Sequence, residues 1–237
     1  MKIVGNSDIG RVRKENQDAF WFQSPGPASC VAVVCDGMGG IKGGQEASNI
    51  AVSTVRDYFA KQPGIKTEKQ LMNLIQSCNK AVVEGSKDNS EYIGMGTTMV
   101  LAQINDHLVS IANIGDSRGY HITNGSIQQI TKDHSAVQEL VDNGKITERQ
   151  AKIHPNKNII TRAIGIDQEV EVDFFDLKIT EGDLILLCSD GLTNMVDESE
   201  IQFEAAGGDF EDLPQRLIDL ANSRGGTDNI TVVAIQI

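Results

Sequence analysis

"SCVAVVCDGMGG", residues 29–40, is the stretch on which the fold turns. Its unbroken Val-rich apolar run is strand-sized and stops at Asp36-Gly37, which marks a strand buried on both faces and ended by a sharp turn. "LILLCSDGL", residues 184–192, repeats the arrangement with Asp190-Gly191. Three more aspartates occupy similar turn-like settings: Asp18 in "RKENQDAF", Asp116 in "IANIGDSRGY" and Asp228 in "GGTDNITVVAI". Taken singly, each has a bland explanation, because Asp-Gly is a common turn dipeptide and Asp at a strand end bonds nearby backbone amides. Jointly they describe a sheet gathering acidic side chains at one rim. Such carboxylates repel and call for a hard divalent cation. Glycine after Asp36 and Asp190 would permit positive φ and close backbone approach.

Working outward, "KIVGNSDIG" and "DAFWFQ" read as strands. "GGQEASNIAVSTVRDYFAKQ" carries apolar residues at helical spacing until Pro63-Gly64. "TEKQLMNLIQSCNKAVVEGS" is a second amphipathic helix, with Thr67 as N-cap and Gly85 near its end. Strands return at "MGTTMVLAQI", "HLVSIANIGD", "RGYHIT" and "SIQQIT", separated by Asn105-Asp106, a Gly115 turn and Asn124-Gly125. Those turns predict antiparallel hairpins. From His134 to about Gly165 the chain is polar and mixed, an excursion over the surface with a short helix near "SAVQELVDNG". "VEVDFFDLKI" and "DLILLCSD" are strands, helical patterns cover roughly 197–206 and 209–222, and "NITVVAIQI" is a final strand. The order predicts one α+β sandwich with helices outside the sheets.

The 237 residues carry no linker-like segment, so a single domain is expected. With 40% hydrophobic but 5% aromatic residues, the core is mostly aliphatic. A net charge of -12 argues against a nucleic-acid surface. Cys30, Cys35, Cys78 and Cys188 have no metal-type spacing and fit a reducing compartment. No apolar run approaches the ~20 residues of a membrane helix, and "MKIVGNSDIG" offers no signal peptide, so the expectation is a cytoplasmic protein. Without Cys or His clusters, all-oxygen ligation points to Mg²⁺ or Mn²⁺. Two such ions sharing a carboxylate make a hydrolytic site. Arg13, a few residues before Asp18, is the candidate for phosphate oxygens, which a guanidinium fork suits.

Assembled, these residues resemble the PP2C (PPM) family of metal-dependent Ser/Thr protein phosphatases in its compact bacterial form. The likeness runs nearly end to end, through "SDIGRVRKENQDAF", "VCDGMGGIKGGQEAS", "MGTTMVLA", "ANIGDSRGY", "ITKDHS", "HPNKNIITRAIG", "LLCSDGLTNMV" and "GGTDNITVV" in the family's order. It implies a four-layer α-β-β-α sandwich, two central antiparallel sheets flanked by helices, over residues 1–237, with a flap at about 132–165. It implies that Asp36 bridges two metals with the Gly37 carbonyl on the second. Asp190 and Asp228 complete the first, Asp18 acts through metal-bound water, and Asp116 with Asp190 holds a third, weaker ion. Arg13 matches the phosphate-binding arginine, and with Asp36 and Asp190 it forms the catalytic set. The activity implied is hydrolysis of phosphoserine and phosphothreonine by a metal-bridging water or hydroxide. Partners would be phosphorylated proteins and a Ser/Thr kinase, with no nucleic acid and no membrane, and the protein itself would be a monomer. Two alternatives stand beside it: a regulatory pseudophosphatase, and a phosphatase of nucleotides or other small molecules. One departure concerns the general acid. Bacterial relatives commonly read "DGMGGH" where this chain has Ile41, and many eukaryotic members have His where it has Met38. His134, His154 or a water held by Asp116 would have to serve.

Overall fold

The computed structural model describes every residue except Ile41 and Asp88, so the Ile41 departure lies outside the described residues. The decisive run is strand β3 (Ser29–Met38), and its alternation shows why the sequence is continuously apolar. Val31, Val33 and Cys35 face one buried cluster, while Cys30, Ala32 and Val34 face another. Each sheet is therefore covered on both faces. β3 lies in a sheet ordered β2 (Asp18–Gly26), β3, β5 (Met99–Asn105), β6 (Leu108–Ile114), β9 (Asp173–Lys178), with short β4 (Gly96–Thr97) on the end of β3. The second sheet runs β1 (Lys2–Asp8), β11 (Ile230–Gln236), β10 (Leu184–Cys188), β7 (Arg118–Thr123), β8 (Ser126–Gln129). All the strand pairs described in these sheets are antiparallel.

Helices close the outer faces. In α1 (Gly43–Lys61), Ala47, Ala51, Val55 and Phe59 form one stripe, and in α2 (Glu68–Gly85) Leu71, Leu74, Ile75, Cys78 and Val82 form another. Both stripes join Val31, Val33 and Cys35 of β3 in one buried cluster, α1 lying directly on that strand. Thr67 and Gln70 cap α2 reciprocally, which satisfies two otherwise orphaned N–H groups. On the other side α6 (Glu198–Ala206) and α7 (Leu213–Ser223), with Pro214 in its first turn, cover Leu184, Leu186, Val232 and Ala234. Ile185, Leu187, Val233 and Ile235 meet Ala32, Val34, Val100 and Ala102 between the sheets. The four cysteines are free and buried. The result is the expected α-β-β-α order, two antiparallel sheets flanked by helices.

Two local expectations change. The Gly115 turn is not a hairpin, because β6 and β7 belong to different sheets and the chain crosses between them there. Gly115 takes φ +96°, and a Cβ on it would meet the Thr98 side chain at 2.5 Å. "MGTTMVLAQI" is not one strand but β4 and β5, since Gly96 and Thr97 pair instead with Met38 and Gly37. The surface excursion holds α3 (Ala136–Asp142) and a further helix α4 (Glu148–Lys152) with its own Thr147–Gln150 capping box. Among the described residues, no helix is long and apolar enough to cross a membrane.

Candidate metal centre

Asp18 and Asp36 are direct register partners across β2 and β3, so two carboxylates stand opposite each other at the end of one sheet. Like charges so placed are destabilising. Asp116 sits in the crossing between the sheets, and Asp190 opens a one-turn helix, α5 (Asp190–Thr193), straight after β10. Asp228 lies two residues before β11. Arg13, Asp36, Gly37, Asp116, Asp190 and Asp228 line one cleft of about 390 Å³. Asp18 does not line it and lies behind, on the side of a groove with Ser7, Asn16 and Gln45.

The glycines after Asp36 and Asp190 serve by close approach alone, since neither is among the positive-φ positions. A Cβ on Gly37 would lie 2.0 Å from the Gly44 carbonyl oxygen at the start of α1, and one on Gly191 would lie 1.9 Å from the Asn229 carbonyl oxygen. These contacts draw α1 and the β11 entry against the cleft.

Electrostatics mark the cluster as strained. Burial first, then repulsion from Asp18, Asp190, Asp116 and Asp228, holds the Asp36 carboxyl well above its usual range. Burial pushes Asp18 to about 7, against hydrogen bonds from Thr231 and Ser189, with Asp190 and Asp228 adding to the rise. Asp116 is raised to about 8 by burial and by the Asp190 and Asp133 charges. Asp190 is raised by burial and Asp228, although it lies within hydrogen-bond reach of Asp36 and Asn194. Arg13, half-exposed at the mouth, donates from Nη2 to Asp228 Oδ2 at 2.7 Å.

Sequence reasoning missed a set of hydroxyl and amide groups that hold these carboxylates. Ser189 Oγ and Thr231 Oγ1 donate to Asp18 Oδ2 at 2.7 and 2.6 Å. Asn16 donates to Ser7 Oγ, which is 2.7 Å from Thr231 Oγ1 and so feeds the same chain. The Asp36 N–H donates to Thr98 Oγ1 at 2.9 Å, and Thr98 in turn touches Ser117 Oγ at 2.7 Å. Asn229 accepts from the Gln17 N–H and donates to the Ile9 and Glu15 carbonyls, fixing the loop that carries Arg13. Asn194 donates to Asp190 Oδ2 at 2.9 Å, and Lys157 Nζ donates to Asn194 Oδ1 at 2.7 Å. The available signal was positional: apart from Thr98 and Lys157, each of these residues lies within four places of an aspartate.

Neither His134 nor His154 lines this cleft. His134 is buried, accepts from the Gly115 N–H on Nδ1 and meets Asp173 through Nε2. His154 accepts from the Asn156 N–H. Among the described residues no histidine lines this cleft or the adjoining one of about 450 Å³ that shares Asp116, Asn158 and Asp190.

The donor set fits a hard divalent ion. Asp18 Oδ1 is buried with no hydrogen-bond partner, and the carboxyls of Asp18, Asp36, Asp116 and Asp190 are all raised by burial and by neighbouring carboxylates. Among the described residues, no three His, Cys, Asp or Glu side chains close into a cage of their own.

The sequence profile of the family described as Protein phosphatase 2C matches residues 5–230. Serine/threonine phosphatase stp of Listeria monocytogenes serotype 4b is 40% identical, over 97% of this chain and 93% of its own. The crystal structure of serine/threonine phosphatase Stp1 from Staphylococcus aureus superimposes with a TM-score of 0.94 at 38% identity, covering 100% of this chain and 94% of that one. The catalytic domain of PstP, solved in complex with two manganese ions, gives a TM-score of 0.87 at 33% identity, covering 98% and 96%.

Proposed function

Because the chain belongs to the protein phosphatase 2C family, we propose that it is a serine/threonine phosphoprotein phosphatase hydrolysing phosphate monoesters at the cleft lined by Asp36, Asp116, Asp190 and Asp228. Relatives at 35–40% identity over nearly the whole chain are named phosphatases, which supports turnover over a regulatory pseudophosphatase. They also support phosphorylated proteins as substrates over nucleotides. The observation that carries the reading is the convergence of Asp36, Asp116, Asp190 and Asp228 on one cleft with Arg13 at its mouth.

Family members use metal ions, and here the ions are Mn²⁺ or Mg²⁺. Asp36 would hold two of them, with the Gly37 carbonyl on the second, Asp190 and Asp228 would complete the first, and Asp18 would act at one remove. Asp116 with Asp190 would hold a third. When bound, the ions bind phosphate, ready a water for attack and offset charge on the leaving oxygen. The chain's own part is to place these groups. Thr98 and Ser117 hold Asp36, Ser189 and Thr231 hold Asp18, and Asn194 holds Asp190. Arg13 has five N–H donors, of which Asp228 takes one, and the fork at the cleft mouth orients the phosphate. The protein acts as a cytoplasmic monomer and single domain, opposing a Ser/Thr kinase. Residues 132–165 form a flap beside the cleft, tied to the body by Lys152–Asp197 and Lys157–Asn194. The test is phosphate release from phosphoserine and phosphothreonine peptides beside nucleoside monophosphates. Turnover should need Mn²⁺ or Mg²⁺ and fall more than about a hundredfold in Asp36→Asn, beyond what outer-shell changes cost. Full activity in excess chelator would overturn the reading.

A further inference from the structure

Ile166 is 49% exposed although the segment bearing it is tightly fixed. The fully buried Asn79 accepts from the Gly165 N–H at 2.7 Å and donates to the carbonyls of Asp167 and Gln168 at 2.9 and 3.1 Å. Two residues earlier, Ile164 exchanges backbone hydrogen bonds of 2.9 and 3.0 Å with Thr97, whose hydroxyl donates to the Asp36 carbonyl. The segment is thus anchored to the strand end that presents Asp36, and no local freedom accounts for the exposed apolar side chain. Beside it stands Met38, two residues after Asp36 and part of the cleft lining. A Cβ built on Gly96 would lie 2.9 Å from Met38 Cε and 3.0 Å from Ile166 Cδ1, so the two tips adjoin over a floor left open by a glycine. Single exposed apolar residues are ordinary, but Ile166 is held in place beside a second apolar tip that lines the polar cleft.

We propose that Met38 and Ile166, meeting over Gly96 at the lip of the cleft, form an apolar subsite for the residue flanking the phosphoserine or phosphothreonine of the substrate peptide. The inference rests on the phosphoprotein reading above and adds a substrate preference to it. With the phosphate drawn to Arg13 and the aspartate cleft, a neighbouring side chain comes within reach of this lip. A Leu-, Ile- or Met-like group there covers the exposed Ile166 and the half-buried Met38 beside it, whereas an acidic group would lose water without gaining a partner.

The experiment compares phosphothreonine peptides differing only in Leu or Asp immediately before, or immediately after, the phosphoresidue, with Mn²⁺ present. At one of the two positions Leu should exceed Asp about tenfold in kcat/KM, the lower end of what one apolar contact discriminates. In Ile166→Ser and in Met38→Ala that ratio should fall toward one. Damage to folding or metal loading lowers both peptides together and leaves the ratio intact, so the ratio separates recognition from stability. A ratio near one at both positions, or a preference that survives both substitutions, would overturn the inference alone. No turnover of any peptide would overturn it together with the reading it rests on.

Discussion

Metal-free protein should lose stability as pH rises, the reverse of ordinary acid denaturation. Asp18 carries the calculation. Its carboxyl moves from 3.8 to about 7 on folding, so the folded state holds a proton that the unfolded chain has released. The stabilisation from that proton is fully present below the unfolded value near 3.8 and is lost as pH climbs through about 7. Each unit is worth about 1.36 kcal/mol, so Asp18 alone makes the apo protein about 4 kcal/mol less stable at pH 8 than near pH 4. For a chain of this size that corresponds to roughly 8–16 °C in Tm. Asp116, raised to about 8, pulls in the same direction.

The assay is urea denaturation in excess chelator from pH 5 to pH 8, repeated with saturating Mn²⁺. Without metal the midpoint should fall steadily across the range. With Mn²⁺ it should hold or rise, because the ion competes with protons for the same oxygens and binds only the folded state. Asp18→Asn keeps acceptors for Ser189 and Thr231 while removing the charge, so it should flatten the apo slope. Apo stability that stays level or increases between pH 5 and 8 would refute the account of a strained carboxylate cluster. So would an Asp18→Asn slope equal to the wild type.

Arg13→Lys should lower kcat/KM on phosphopeptides about tenfold to a hundredfold, since a point charge forfeits a charge-assisted bond worth about 1.5–3 kcal/mol; steady-state kinetics at fixed Mn²⁺ would show it, and unchanged kinetics would remove Arg13 from phosphate binding. Thr98→Val keeps shape but strips the acceptor from the Asp36 N–H and a partner from Ser117, costing about 1–3 kcal/mol in urea unfolding. Gly191→Ala places a methyl 1.9 Å from the Asn229 carbonyl oxygen and should destabilise by at least about 1–3 kcal/mol, whereas a wild-type midpoint would mean that this contact relaxes freely.

The parts of the fold legible in the sequence were those where periodicity alone decides. β3, β10 and β11 are buried on both faces, so their apolar runs are unbroken, and α1 and α2 repeat at helical spacing with a cap at Thr67. Apolar patterning names faces but not neighbours, which is why the crossing at Gly115 passed for a hairpin. Short elements carry too few residues for a period. α5 has four residues and α4 five, although Thr147 and Gln150 of α4 offered a readable cap. In the site, Asp36 and Asp190 stood out because each ends an apolar run, and Arg13 because it lies a few residues before Asp18. Thr98, Ser189 and Thr231 did not, because hydroxyl residues in or beside strands look like ordinary strand residues until their partners, 62, 171 and 213 positions away, are known.

That long separation also explains how a fold tolerates Asp18 directly opposite Asp36. Neither strand could hold such a pair unaided, since cross-strand like charges oppose pairing. The compensation comes from the other sheet: Ser189 follows β10, Thr231 lies on β11, and both donate to Asp18 across the sandwich. Asp190 and Asp228 arrive from that same sheet, whereas Asp36 belongs to the first and Asp116 to the crossing between them. Divalent ions among these oxygens would therefore join the two sheets at one end. The hydroxyl bonds already hold that end together, so the carboxylates stay in position while their charge awaits neutralisation. The aspartates that oppose the fold at neutral pH are the same ones proposed to bind the ions, which ties the stability of this end of the sandwich to its chemistry.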